Sequence, residues 1–238
     1  MSTDTLALAP VPGFESTQYA LLDGRIVWAG NAPHSDHPRC LANPWQALPA
    51  LYHAAALRKG AELAWQGLQA QTRPGLLAWL GSEALPFPLN LAAQRLHDLA
   101  KALHHQDLGA LEAACLRLLG LGVGLTPSGD DLVGAVFFTL RHAPVAQWQA
   151  AMPALHTRIR HAAQHATNPI SAALLDDLLQ GSSYRALHAL FDAMHSGYAP
   201  AIHQAVRALL QIGASSGGDM LAGVLLTLLN PELPAKRP

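Results

Sequence analysis

Apolar residues in the second half of the chain recur every three or four positions. Leu91, Leu96, Leu99 and Leu103 form one such stripe, and Leu108, Leu111, Cys115, Leu118 and Leu119 form another. This is the period of amphipathic helices. Further helices are predicted near 131–142, 145–165, 171–180, 184–195, 199–212 and 219–229, divided by short Gly, Pro or Asn signals. The first half reads differently. Thr17–Leu22 and Arg25–Ala29 are short β-like runs on either side of Asp23-Gly24, a pair suited to a tight hairpin turn. Residues 30–50 carry four prolines; each disfavours helix in the residue before it, which predicts an irregular connector. Leu51–Leu57 has helical propensity, whereas 61–80, interrupted by Gly67 and Pro74, stays open between helix and loop. The expected fold is α+β and mainly helical. A β-containing region over 1–88 would pack its small sheet on a helical domain over 89–230, followed by a frayed tail at 231–238.

Composition narrows the classes of function. A chain of 238 residues can bury a full core without disulfides or metals. Charged residues make up 13 % of it, against roughly 25 % in ordinary soluble domains. The 15 basic and 16 acidic residues leave a net charge of -1 with no run of one sign, so the electrostatic footprint that nucleic acid requires is missing. Sparse charge also leaves apolar surface for a neighbour to cover, so other protein subunits or an oligomer are expected. Two cysteines, Cys40 and Cys115, lack CxxC spacing; this excludes a thiolate cluster or a disulfide scaffold and makes the cytoplasm the expected compartment. Met1–Phe14 lacks the basic start of a signal peptide. The apolar runs Leu132–Leu140 and Met220–Leu229 reach about half of the roughly 20 residues a bilayer span needs, so no membrane association is expected.

The segment richest in chemistry is Gly120-Leu-Gly-Val-Gly-Leu-Thr-Pro-Ser-Gly-Asp-Asp131, which opens directly into an apolar run. A second helix start echoes it 88 positions on: Ser128-Gly129-x-Asp131 matches Ser216-Gly217-x-Asp219. One reading is capping alone, with the Ser oxygen on an orphan amide and the Asp favourable to the helix dipole. A functional reading accounts for more. Glycines at 120, 122 and 124 permit positive φ and close approach to a ligand, and amides at a helix N-terminus can hold an anion. Adjacent acids at Asp130 and Asp131 suit either a hard cation such as Mg²⁺ or the N–H groups of an amide or ureido ligand. Thr126, Ser128, Ser215 and Ser216 add hydroxyls. If the two starts serve one site, they must converge in the fold.

Gly124-Leu-Thr-Pro-Ser-Gly-Asp-Asp131 resembles the signature of a bacterial family long filed as a domain of unknown function, which includes the H subunit of oxamate carbamoyltransferase, an enzyme of anaerobic allantoin breakdown. Thr167-Asn-Pro-Ile-Ser171 and Ile212-Gly-Ala-Ser-Ser-Gly-Gly-Asp219 fit the same pattern. The resemblance covers roughly 105–230. It implies a role in carbamoyl transfer between carbamoyl phosphate and oxamate or a related amide, within a complex of separate chains. Under that expectation Asp130, Asp131 and Asp219 are the catalytic candidates. Gly124, Thr126, Ser128, Gly129, Thr167, Ser171, Ser215, Ser216 and Gly217 would bind a small anionic substrate, with the amides near Gly129 and Gly217 taking its phosphate or carboxylate. No cofactor is specified by it, and Mg²⁺ is a candidate. A binding module without chemistry and a purely structural subunit remain as alternatives.

Other constellations are weaker. His161 and His165 have the i, i+4 spacing of paired metal ligands but lack the HExxH pattern and a third partner. His34-Ser-Asp-His37 and His104-His105 fall in or beside loops. No GxSxG, GxGxxG or GxxxxGK[ST] occurs. Arg158 and Arg160 read as surface cations.

Overall fold

The computed structural model describes residues 5–7, 17–30, 36–41, 44–47, 50, 52–68 and 72–229. The tail at 231–238, His34 and most of the Met1–Phe14 segment lie outside the described residues. Three antiparallel strands, β1 (Thr5–Ala7), β2 (Thr17–Leu22) and β3 (Arg25–Gly30), form a meander in that order. The β2–β3 hairpin closes at Asp23-Gly24, whose φ angles of 49° and 75° are both positive as a type I′ turn demands. The register that follows sets Leu22 opposite Arg25 and Thr17 opposite Gly30. Within the connector, the described residues hold only isolated bridges, Trp28 with Cys40 and His37 with Pro44.

Among the described residues ten helices follow: α1 (Ala54–Gly67), α2 (Leu77–Leu80), α3 (Ala93–His104), α4 (Leu108–Leu118), α5 (Ser128–His142), α6 (Met152–Ala166), α7 (Pro169–Leu179), α8 (Arg185–Ser196), α9 (Ala199–Leu210) and α10 (Ser216–Leu229). The 145–165 stretch differs from the expectation of one helix. It divides into a 3-10 turn at Ala146–Trp148 and α6, because Pro153 is tolerated only in a first helical turn. The open stretch resolves into the second half of α1, which ends at Gly67, and the single turn α2.

At the centre lie α5 and α10. Every residue of α5 from Ser128 to Leu140 is buried, as are Gly217–Leu226 of α10, so both helices are enclosed on all sides rather than amphipathic. They pack against each other more extensively than any other pair, with α7 and α4 also on α5, and α1, α9, α2 and α3 also on α10. Leu132, Val136, Leu221 and Leu225 belong to one core that also takes in Leu57, Ala61 and Leu68 of the α1 region. A Cβ at Gly223 would press on Leu132 O, on Ala135 Cβ at 2.9 Å and on Val136 N at 3.2 Å, so the absence of a side chain there lets the two backbones meet.

The sheet docks on α7. Trp28 and Cys40 pack with Ile170 and Leu174, and the buried Arg39 guanidinium grips the Asp177 carboxylate with two N–H groups. Its remaining donors reach Ile26 O at 3.0 Å and Ala173 O at 3.2 Å, so the buried cation is paired and satisfied. His37, beside it, accepts from Arg39 N at 3.1 Å. Burial, then the Arg39 charge, hold its pKa down at about 3, which keeps it neutral.

Replacing Gly223 with Ala tests the close approach. Helix propensity alone would favour Ala by about 1 kcal/mol, but the Cβ must force α5 and α10 apart. A net loss of about 1–3 kcal/mol is expected in urea unfolding; a neutral or stabilising result would mean that the pair can slide.

Candidate functional site

The loop that leads into α5 is built around its glycines. Gly120, Gly122 and Gly124 have φ of 73°, 126° and 99°, values at which L side chains are strained. A Cβ at Gly120 would also strike Ala166 O, and one at Gly122 would sit 2.6 Å from Ser128 N. Three polar contacts hold the loop from behind. Asp130 Oδ1 accepts from Gly120 N at 2.7 Å, its Oδ2 accepts from Ser171 Oγ at 2.7 Å, and Asn168 Nδ2 donates to Leu125 O at 2.8 Å. Asn168 is also the N-cap of α7, taking Ile170 N and Ser171 N on its Oδ1 at 3.0 Å each. Both Asp130 oxygens are therefore occupied by the protein itself. Among the catalytic candidates it stands apart as the tether of the loop.

The second start repeats the device. Gly129 N donates to Leu121 O at 2.8 Å and Gly217 N donates to Ile212 O at 2.9 Å. A Cβ at Gly129 would collide with Leu118 O, and one at Gly217 with Leu209 O. These two amides, expected to receive an anion, are thus already engaged by carbonyls of the preceding turn. Capping takes a different form as well. The N-cap of α5 is Pro127 without any side-chain cap, and Ser128 is the first helical residue, so its hydroxyl is not used as the capping reading requires.

The two starts meet side by side. Thr126 Oγ1 and Ser216 Oγ are 2.9 Å apart, and the helices run in the same direction from there, since Gly223 lies against 132–136. Asp131 and Asp219 come together between them. Asp219 is fully buried and accepts from Leu76 N on Oδ1 at 2.6 Å. This third segment was not legible in the sequence: Gly75, with φ of 61°, packs its bare Cα against the Asp219 carboxylate, and Pro74 O lies 2.5 Å from where a Cβ of Gly218 would be. Asp131 is 6 % exposed. On each acid the second oxygen, Oδ2, is buried with no hydrogen-bond partner among the described residues.

Burial dominates the electrostatics. Desolvation pushes the Asp131 pKa well above the carboxylate range, the Asp219 and Asp130 charges push it further, and the Ser216 and Thr126 hydroxyls pull it back. Desolvation raises Asp219 to about 6 against the Leu76 N–H and the Ser128 and Ser215 hydroxyls. Two desolvated acids that feel one another titrate as a pair, and burial holds both above the ordinary carboxylate range. Thr167 ends α6 with a buried, unpartnered hydroxyl, and among the described residues no hydrogen bond joins it to the acids. Gly124 is exposed at the loop surface. Among the described residues no group of three or more His, Cys, Asp or Glu is arranged to hold a metal ion, so Mg²⁺ would find no full protein ligand set here. His161 and His165 adjoin each other on the exposed face of α6, while Arg158 and Arg160 pair with Glu112 and Asp176. An apolar cleft of about 610 Å³ lies at the opposite end of α5 and α10, lined by Leu140, Trp148, Thr227 and Leu228 with Arg58; it carries no acid.

Residues 118–228 match the sequence profile of a family described as oxamate carbamoyltransferase subunit AllH. The matched segment begins at the end of α4 and closes within α10, so it contains both helix starts and every catalytic candidate. No curated protein and no solved structure gives a significant match. Among the described residues, no helix is long and apolar enough to cross a membrane.

The raised pKa of Asp219 has a defined sign in stability. The folded state holds the proton up to about pH 6, the unfolded chain only to the ordinary value of 3.8, so this group's contribution falls as pH rises through that window, by on the order of 3 kcal/mol. Buried His37 and His188 and half-buried His142, whose pKa values are lowered, impose the opposite slope. The effect is therefore read as a difference: wild type should lose stability relative to Asp219→Asn between pH 4 and pH 7, and parallel curves would show that Asp219 is not desolvated. Asp130→Ala, which strands Gly120 N and Ser171 Oγ, should cost about 2–3 kcal/mol in chemical unfolding.

Proposed function

From the family match over 118–228, we propose that this chain is a subunit of a carbamoyltransferase-like complex of the oxamate and carbamoyl phosphate class, and that its ligand is held where the α5 and α10 starts meet. The observation that carries this reading is the Asp131–Asp219 pair: two acids 88 positions apart in sequence, brought together in the core, each with a buried oxygen that has no hydrogen-bond partner among the described residues. Each buried oxygen left unpaired costs the fold free energy. Strain of this kind concentrates at functional sites.

Carbamoyl transfer asks for little covalent help. The bond from the carbamoyl carbon to a phosphate oxygen breaks, a bond to the acceptor amide nitrogen forms, and one N–H proton must leave that nitrogen. A carboxylate taken out of water is a stronger base than a solvated one and is suited to receive it. Thr126, Ser128, Ser215 and Ser216 surround the pair and orient what binds there, while Asp130, Ser171 and Asn168 hold the loop in position and Leu76 N fixes Asp219. Orientation is the larger part of what such a site supplies. A purely structural role is less well supported, since the Ser128 hydroxyl does not cap α5.

The test is turnover in the assembled complex. Asp131→Asn, expressed with the other subunits, should retain the fold and the assembly but lose carbamoyl transfer by about 100-fold or more, the usual effect of removing a group that moves a proton. Undiminished turnover would remove Asp131 from the chemistry.

A further inference from the structure

The hydrogen-bond polarity of the site identifies which end of a ligand it receives. Five backbone amides at the helix starts are bonded within the protein. Gly129 N and Gly217 N are given to Leu121 O and Ile212 O, Asp130 N and Asp131 N to Pro127 O, and Asp219 N to Ser215 O. What usually makes a helix N-terminus an anion site is free amides, and these five are engaged by carbonyls. Among the described residues Asp131 Oδ2 and Asp219 Oδ2 are buried acceptors without a hydrogen-bond partner. The charges that act on Asp131 come from Asp219 and Asp130, which are acids as well. A phosphate or carboxylate brought against them would meet like charge in a desolvated place. A primary amide nitrogen has two N–H donors and no charge, and it supplies what the two oxygens lack.

We propose that the Asp131–Asp219 pair is the receptor for the N–H₂ end of a carboxamide or carbamoyl ligand, which enters this site amide-first with its anionic end turned away. The inference rests on the reading of the twin helix starts as the ligand site and adds the direction of binding. It makes the pair the element that separates an amide from the matching carboxylate. A site built around buried acceptors rejects an analogue that lacks the donors, because the acceptors are then left unpaired and, with a carboxylate, opposed.

The experiment is equilibrium binding to the full-length chain at pH 7.5, by calorimetry and thermal shift, with oxamate, with oxalate, which replaces the amide by a second carboxylate, and with inorganic phosphate. Oxamate should raise the midpoint of unfolding and bind at least about 100-fold more tightly than oxalate, with no response to phosphate. Asp219→Asn and Asp131→Asn each place an N–H₂ donor where an acceptor stood, and each should narrow or reverse the oxamate-to-oxalate ratio. Asp219→Asn keeps an oxygen for Leu76 N and so guards against simple misfolding. If oxalate or phosphate binds as tightly as oxamate and the variants abolish that binding, the helix starts are a ligand site but the amide-first direction is wrong. If none of the three binds, both the direction and the ligand-site reading fail for this chain.

Discussion

The contact between α5 and α10 at Gly223 fixes the geometry of everything at the other end of the pair. Because a Cα without a side chain lets Leu132 O and Val136 N come close, the two helices begin within hydrogen-bond reach of one another, and Thr126 touches Ser216. Two parallel N-termini in contact place partial positive charges together, which is unfavourable on its own. Asp130, Asp131 and Asp219 all lie in the first turns, where negative charge offsets that field. The arrangement therefore explains why acids are tolerated in the core as well as why they are adjacent.

Tolerance is unequal among the three. Asp130 is fully hydrogen-bonded and ties Gly120 to Ser171, so its burial is compensated. Asp131 and Asp219 are compensated only in part, by hydroxyls and by Leu76 N. Burial without full compensation is what lifts both carboxyls above the ordinary carboxylate range.

Much of this was legible in the chain. The Asp23-Gly24 hairpin, most helix positions and the duplicated Ser-Gly-x-Asp starts follow from local patterns, and the alternating glycines foretold positive φ at 120, 122 and 124. What could not be read depends on contacts between distant segments. Asp130 and Asp131 look equivalent in sequence, yet neighbours on a helix point about 100° apart, so one faces α7 and the loop while the other faces α10. The occupied amides of Gly129 and Gly217 depend on how the preceding turns fold back. Gly75 and Leu76 sit in a stretch with no clear period, and only the bond to Asp219, across 143 positions, gives them meaning.

That bond has a bearing on how the site comes into being. Asp131 on α5 is paired only once α10 has docked beside it, and Asp219 is fixed only when the turn at 74–76 has folded onto α10. Bringing together segments of such separation costs loop-closure entropy, which the packing of the whole core must repay. The raised proton affinity of the site therefore belongs to the assembled fold and to none of its segments alone, and the chain carries no ligand-ready acid pair before its core is complete.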